Sequence, residues 1–219
     1  MRVRIETDDN VIYDMKTDFG WLCDFPDDIS IPAVRTNYIE IPGRNGELDL
    51  TEIDGNLYYE DVEFTLQLQK ICRTSEQIFN AVRQIANLFS GQRIKLFLNE
   101  DTYYYDARVD VSNFTREGLK LVCVINVKAF PFRLQNNPTI VETQLSSTEQ
   151  TLNLQNGTMQ VVPTISSTDG ATITFGNATY SVSAGSGLTI PTLVLQQGNN
   201  EVRVSGTGTL TFTYTKGEF

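Results

Sequence analysis

The side chains able to do chemistry in this sequence are carboxylates, three cysteines and a set of tyrosines. Histidine does not occur. Its absence removes Ser-His-Asp and Cys-His relays, imidazole general bases and histidine metal ligands together. Cys23, Cys72 and Cys123 are odd in number, far apart and without a C-x-x-C pair. Neither a disulfide framework nor a zinc site is expected from them. Each sits among apolar neighbours and reads as a buried thiol in a reducing compartment. Carboxylate chemistry is what remains, and glycoside hydrolysis needs two carboxyls facing each other across a cleft. The acids cluster as Asp8-Asp9, Asp27-Asp28, Asp54 and Glu60-Asp61. Their spacing selects no such pair, and they read as solvated surface.

Residues 41–52 read IPGRNGELDLTE. Asp49, Glu52, Asp54 and Gly55 offer oxygen ligands and a bend, as a calcium loop does. Such a loop also needs ligands at alternating positions and flanking helices. Here Thr51 and Ile53 fill alternating places and no helix pattern flanks the segment. A solvated acidic turn is the expectation, with no metal and no cofactor. The missing helix also argues against a phosphate cradle. Pro42-Gly43 suits the centre of a type II turn and Asn45-Gly46 a type I′ turn. Two tight turns feeding the strand-like GELDL make a sharply folded corner. Gly43, Arg44, Asn45 and Gly46 are therefore candidate contact residues, along with Trp21, Tyr103 and Tyr105.

Tyr103, Tyr104 and Tyr105 stand in a row. Strand alternation sends Tyr103 and Tyr105 to one face and Tyr104 to the other. Such a pair could stack on a sugar or a protein partner, or sit as ordinary sheet residues with hydroxyls at the rim. Tyr180 and Tyr214 are the candidate sugar-stacking residues of the C-terminal region. Asn113, Asn156 and Asn177 open N-x-Thr sequons that read as chance matches, because MRVRIETDDN lacks the apolar middle of an export signal.

The 219 residues carry a net charge of −10, with 40% hydrophobic residues. That composition supplies a core, and the charge opposes binding to a phosphate backbone. No apolar run approaches the ~20 residues of a membrane span. Composition changes near residue 135. Residues 1–135 hold 15 of 17 basic and 22 of 27 acidic side chains, and residues 136–219 hold 25 Ser/Thr. The polar junction FRLQNNPT sets a boundary between domains 1–135 and 136–219.

In the first domain, strands are expected at 2–6 and 11–16, with an irregular excursion over 19–34 broken by Pro26 and Pro32. NYIEIP returns to strand character. DVEFTLQLQ alternates Val62, Phe64, Leu66 and Leu68 with polar residues, as a half-buried strand does. A helix of roughly 24 Å follows over 75–90. Thr74 and Gln77 have capping-box spacing. Ile78, Val82, Ile85 and Phe89 form an apolar stripe, and Gly91 supplies a left-handed stop. RIKLFL and YYYDARVDV flank a hairpin turn at 99–101. REG turns at 116–118, and LKLVCVINVKAF closes the domain. This order predicts an α+β domain whose mostly antiparallel sheet carries one helix. The second domain has no helix pattern. MQVVPTI, ATITF, ATYSV, PTLVL, NEVRV and GTLTFTYT, divided by turns such as GNNE at 198–201, predict an all-β sandwich. Leu210, Phe212 and Tyr214 alternate with threonines in its last strand.

VRTNYIEIPGRNGELDLTE, then NLYYEDVEFTLQL, then a helix and a strand ending in AFPFRL, resembles the distal tail protein family of long, flexible-tailed bacteriophages. LQQGNNEVRVSGTGTLTFTY resembles that family's C-terminal β-sandwich. The resemblance runs from about residue 19 to the end. Its most specific stretches are 41–52 and 129–132, which are turn and strand motifs rather than catalytic ones. The excursion at 19–36 is similar in place to the family's ring-forming extension. The chain is shorter than larger members of the family.

The resemblance implies a non-enzymatic structural protein of the virion tail tip or baseplate, from a siphophage or prophage, made in the bacterial cytoplasm. A tail-tube-like N-terminal domain would build a six-fold ring, and a galectin-like C-terminal domain would point outward. Its partners would be further copies of itself, the tail-tube protein, the tail-tip hub protein and receptor-binding proteins. DNA would pass through the centre without specific binding, and an acidic wall would let it slide. The alternative is a carbohydrate-binding module acting through the C-terminal domain.

Overall fold

The computed structural model of the chain describes residues 1–24, 26 and 31–219. Asp27-Asp28 and part of the expected excursion over 19–36 lie outside the described residues. Contacts divide the chain into two compact units, Met1–Pro131 and Phe132–Phe219.

The first unit holds β1 (Val3–Thr7), β2 (Ile12–Asp14), β3 (Leu22–Cys23), β4 (Tyr38–Ile39), β5 (Leu48–Asp49), β6 (Val62–Ile71), α1 (Ser75–Phe89), β7 (Gln92–Leu98), β8 (Tyr103–Glu117) and β9 (Lys120–Ala129). Its main sheet runs in the order β2-β1-β7-β8-β9-β6-β3, and these pairings are antiparallel. Alternation in β6 works as expected: Val62, Phe64, Leu66 and Leu68 are buried while Glu63, Thr65 and Gln67 are exposed. Register carries that pattern across the sheet. Phe64 faces Val127, Leu66 faces Ile125 and Leu68 faces Cys123. One sheet face is therefore apolar, and α1 packs there through Ala81, Ile85 and Phe89. Burying Ile85 and Phe89 contributes about 1.5–3 kcal/mol each. Ile78 and Val82 are only partly buried, at the margin of the same core.

The start of α1 is fixed locally. The Gln77 N–H donates to Thr74 Oγ1 at 3.3 Å, and Gln77 Oε1 accepts from the N–H groups of Arg73 (2.7 Å) and Thr74 (3.4 Å). Gly91 follows the helix at φ +68°, the left-handed conformation that ends helices. Strand β8 runs past the expected end at 111, through a bulge between Val111 and Asn113, to Glu117. Glu117 and Lys120 pair, so the turn is Gly118-Leu119 rather than 116–118, with Gly118 at φ +64°.

The second unit holds β10 (Arg133–Gln135), β11 (Thr139–Gln144), β12 (Gln150–Asn156), β13 (Thr164–Ser167), β14 (Ala171–Phe175), β15 (Ala178–Val182), β16 (Gly185–Thr189), β17 (Gly198–Gly206), β18 (Thr209–Tyr214) and β19 (Gly217–Glu218). Two four-stranded sheets, β11-β18-β13-β16 and β12-β17-β14-β15, share one core that includes Leu154, Ile173, Val202, Val204, Leu210 and Phe212. The threonine face of β18 is half-exposed, opposite its buried Leu210 and Phe212.

Three local expectations fail in this unit. MQVVPTI contributes only Thr164 and Ile165 to a strand, and PTLVL none. Val161 and Leu195 meet in a lone bridge. GNNE is the start of β17 rather than a turn. The Asn200 side-chain amide donates to the carbonyls of Leu154, Gln196 and Gly198. These bonds satisfy a polar group that is 5% exposed inside the sheet.

Candidate functional site

Residues 33–60 leave the sheet and return to it as a narrow antiparallel ribbon. At its base the Arg35 N–H donates to the Tyr58 carbonyl and the Glu60 N–H to the Ala33 carbonyl, each at 2.8 Å. Arg35 and Glu60 pair at 3.2 Å. In the middle, Tyr38 faces Asp49 and Ile39 faces Leu48, and the Leu50 N–H donates to the Asn37 carbonyl at 2.8 Å. At the tip the Arg44 N–H donates to the Ile41 carbonyl at 3.1 Å, with Gly43 at φ +82°. That is the type II turn expected of Pro42-Gly43.

Asn45-Gly46 is not type I′. That turn needs positive φ at both central residues, and only Gly46 (φ +76°) has it. The flexibility of glycine carries the second bend alone.

The acids of the ribbon serve as turn acceptors. Asp49 accepts from Thr51, whose hydroxyl and N–H hold its carboxyl below the ordinary carboxylate range. Asp54 accepts the Tyr58 hydroxyl at 2.5 Å and the Asn56 N–H at 3.2 Å. These bonds lower its pKa and raise that of Tyr58. Among the described residues, no group of three or more His, Cys, Asp or Glu could hold a metal ion.

The ribbon is nonetheless apolar on one side. Ile39 and Leu48 meet across it, and Ile41 and Leu50 lie two residues further along each strand, where extended backbone repeats a face. Ile39 is 44% and Ile41 38% exposed. Tyr38, Glu40, Glu47 and Asp49 alternate with them. Leu48 and Leu50 are half-buried, so the apolar side is only partly open on a ribbon that is marginal in water by itself.

The sheet face opposite α1 carries a charge ladder at one end. Lys95 meets Glu6 at 2.6 Å. Arg93 binds both oxygens of Asp106, at 2.9 and 2.5 Å. Lys128 meets Glu63 at 2.8 Å, and Arg108 donates to the Gly91 carbonyl at 2.8 Å. Glu63 and Asp106 raise the pKa values of Lys128 and Arg93 respectively, through charged hydrogen bonds. Shallow grooves of about 390 and 420 Å³ cross this end. Three of these cations are neutralised by carboxylates, while Arg108 is held by a carbonyl and Asp110 accepts from the Ser90 hydroxyl at 3.4 Å.

The aromatic candidates fare unevenly. Trp21 is 1% exposed within the core, with Lys70 Nζ 5.9 Å from its ring centroid, and offers no surface to a partner. Tyr105 does lie on the face opposite Tyr104, but that face is the core side, where it packs edge-on to Phe64 at 5.4 Å. Tyr103 is half-buried. Tyr104 packs on Phe97 at 5.7 Å, beneath Lys95. Tyr214 is 4% exposed, and its hydroxyl donates to the Gln155 carbonyl at 2.8 Å. Its ring face is closed to a sugar. Tyr180 is half-buried, bonded to Thr192 at 2.8 Å, and on the other sheet. The two do not form a stacking pair.

No protein-family model matches the chain, and no curated protein is similar to it at a significant level. A solved structure is similar over nearly its whole length. SPP1 Dit (gp 19.1), described as a paradigm of the hub adsorption apparatus of phages infecting Gram-positive bacteria, superimposes with a TM-score of 0.66 at 14% identity. The match covers 97% of this chain and 98% of that one. The fold is that of a phage distal tail protein. The corner at Gly43-Arg44-Asn45-Gly46 is exposed at all four residues.

Proposed function

We propose that this chain is a structural subunit of a phage tail tip, acting by assembly rather than by catalysis. The observation that carries the reading is the end-to-end likeness to a distal tail protein of the hub adsorption apparatus. In this reading six copies close into a ring. The ring joins the tail-tube protein to the tail-tip hub and to receptor-binding proteins, and DNA passes through its centre. The second unit is the outward, galectin-like one.

The ribbon of residues 33–60 supports the reading, because it is a two-stranded projection that leaves Ile39 and Ile41 exposed. The self-neutralised charge ladder gives a solvated sheet face that would neither grip nor strongly repel a polyanion. The acidic-wall idea applies to the ring's inner surface only if the remaining carboxylates gather there. Negative-stain electron microscopy and mass photometry of the purified protein test the proposal. Six-fold rings are expected, and a strict monomer refutes self-assembly.

A further inference from the structure

Two Asn-Gly pairs occur in the chain, Asn45-Gly46 and Asn156-Gly157. Asparagine before glycine is the pair most open to cyclisation, because glycine has no side chain to shield its nitrogen and bends freely. The structure treats the two pairs in opposite ways. Asn45 and Gly46 are both exposed, in a bend at the ribbon tip. Gly46 has φ +76°, and nothing lies within 4 Å of a Cβ placed on it. Space for a five-membered ring is therefore open. Asn156 is 8% exposed at the end of β12. Its Nδ2 donates to the Met159 carbonyl at 2.7 Å and to the Leu195 carbonyl at 3.1 Å. A Cβ on Gly157 would stand 2.5 Å from the Gly217 carbonyl oxygen, so that backbone has no room to turn.

We infer that Asn45 is a self-modification site of the unassembled chain, where water converts the side-chain amide to a carboxylate through a succinimide formed with Gly46. The Gly46 nitrogen gives its proton to hydroxide and bonds to Asn45 Cγ. The Cγ–Nδ2 bond breaks, and Nδ2 leaves as ammonia with a proton taken from water. A second water then opens the ring. Opening at Cγ gives an aspartyl residue at position 45. Opening at the backbone carbonyl gives an isoaspartyl residue, with the chain running through Cβ. The sum is amide plus water giving carboxylate plus ammonium, with no oxidant and no metal. Each event adds one negative charge to a ribbon that already carries Glu40, Glu47 and Asp49.

The Asp54-Gly55 pair of the same ribbon does not compete. The Gly55 N–H donates to the Glu52 carbonyl at 2.9 Å, and Tyr58 and Asn56 donate to the Asp54 carboxylate. An ionised carboxylate is also a poor target for nitrogen attack. At Asn156 the cyclising geometry costs two hydrogen bonds, which slows the reaction roughly tenfold to a hundredfold relative to Asn45.

The test keeps the full chain at pH 8 in water enriched in heavy oxygen, at a dilution where sedimentation velocity shows single chains. It is therefore independent of whether rings form. Peptide mapping at low pH follows both sites, and an isoaspartyl methyltransferase counts the isoaspartyl product. The Asn45 peptide should give both products, each carrying oxygen from the water, at least about tenfold faster than the Asn156 peptide. In urea the difference between the two sites should disappear. Asn45→Gln should abolish the charge gain, because a six-membered imide closes far more slowly. An Asn45 peptide that keeps its amide, or reacts no faster than Asn156 in the native chain, overturns the inference. So does a difference that persists unchanged in urea, because the local sequence rather than the fold would then set it.

Discussion

Replacing Gly43 and Gly46 by valine should detach the ribbon's behaviour from that of the rest of the protein. Nothing lies within 4 Å of a Cβ added at either glycine, so neither substitution makes a clash. The cost is confined to the backbone, at φ +82° and +76°. Holding a residue with a side chain in the left-handed region costs roughly 1–2 kcal/mol, and a β-branched one sits at the upper end. The double variant therefore loses about 2–4 kcal/mol at the tip. A two-stranded ribbon has no more than that to lose, while the sheet core does not touch the tip.

Hydrogen exchange is the assay. The Leu50 amide, which donates to the Asn37 carbonyl, should exchange about 30-fold faster or more, since each 1.4 kcal/mol is tenfold. Exchange in β6 and β9 should not change, and the melting temperature should move by less than about 2 °C. Ring formation should fall with ribbon protection. Asparagine, which tolerates left-handed backbone, should restore most of both when placed at 43 and 46. A melting temperature lowered by 6 °C or more would refute the reasoning, because the ribbon would then be part of the cooperative core. Unchanged Leu50 exchange would refute it from the other side.

Thr74→Ala removes the capping-box acceptor of α1 and should cost about 1 kcal/mol, read as a 2–4 °C fall in melting temperature. Asp49 and Asp54 have folded pKa values below the ordinary 3.8, from hydrogen bonds to Thr51 and to Tyr58. For such depressed carboxyls the stabilisation is fully present above the unfolded value and is lost as pH falls through the folded one. Ribbon amide shifts of Thr51 and Asn56 should accordingly stay constant at pH 5 and titrate with midpoints below 3.8. Midpoints at or above that value would show the bonds are not kept in solution. Burial pushes the Cys23 and Cys123 thiols up to about 12. A thiol reagent at pH 8 should therefore leave both unmodified in the native protein and label them once the chain is denatured.

Much of the first unit was legible because its signals are local. The period-two alternation of DVEFTLQLQ needs no knowledge of the partner strand to predict which residues go inward. Thr74, Gln77 and Gly91 end the helix through bonds and dihedrals spanning a few residues. The type II turn at Pro42-Gly43 is equally local. The errors fall where burial is decided at a distance. Trp21 and Tyr214 are aromatic in any reading of the chain, but whether a ring meets solvent depends on Lys70 above one and on the Gln155 carbonyl beside the other. GNNE looks like a turn from its composition, yet Asn200 satisfies its amide on three carbonyls brought near by β12 and the preceding loop.

The sequence by itself determined the helix at Ser75–Phe89 and the alternating strand at Val62–Ile71, because hydrophobic period and capping act over one or two turns of chain. It also determined that histidine chemistry is absent. Only the tertiary structure decided which surfaces remain uncovered. NYIEIP and GELDL are ordinary strand fragments until they pair with each other and leave the sheet, which turns their apolar alternation outward. Arg93, Arg108 and Lys128 are scattered in the chain, and become one row only through antiparallel register across three strands. The charge ladder is made of that register, and register is a property of pairing rather than of any one segment.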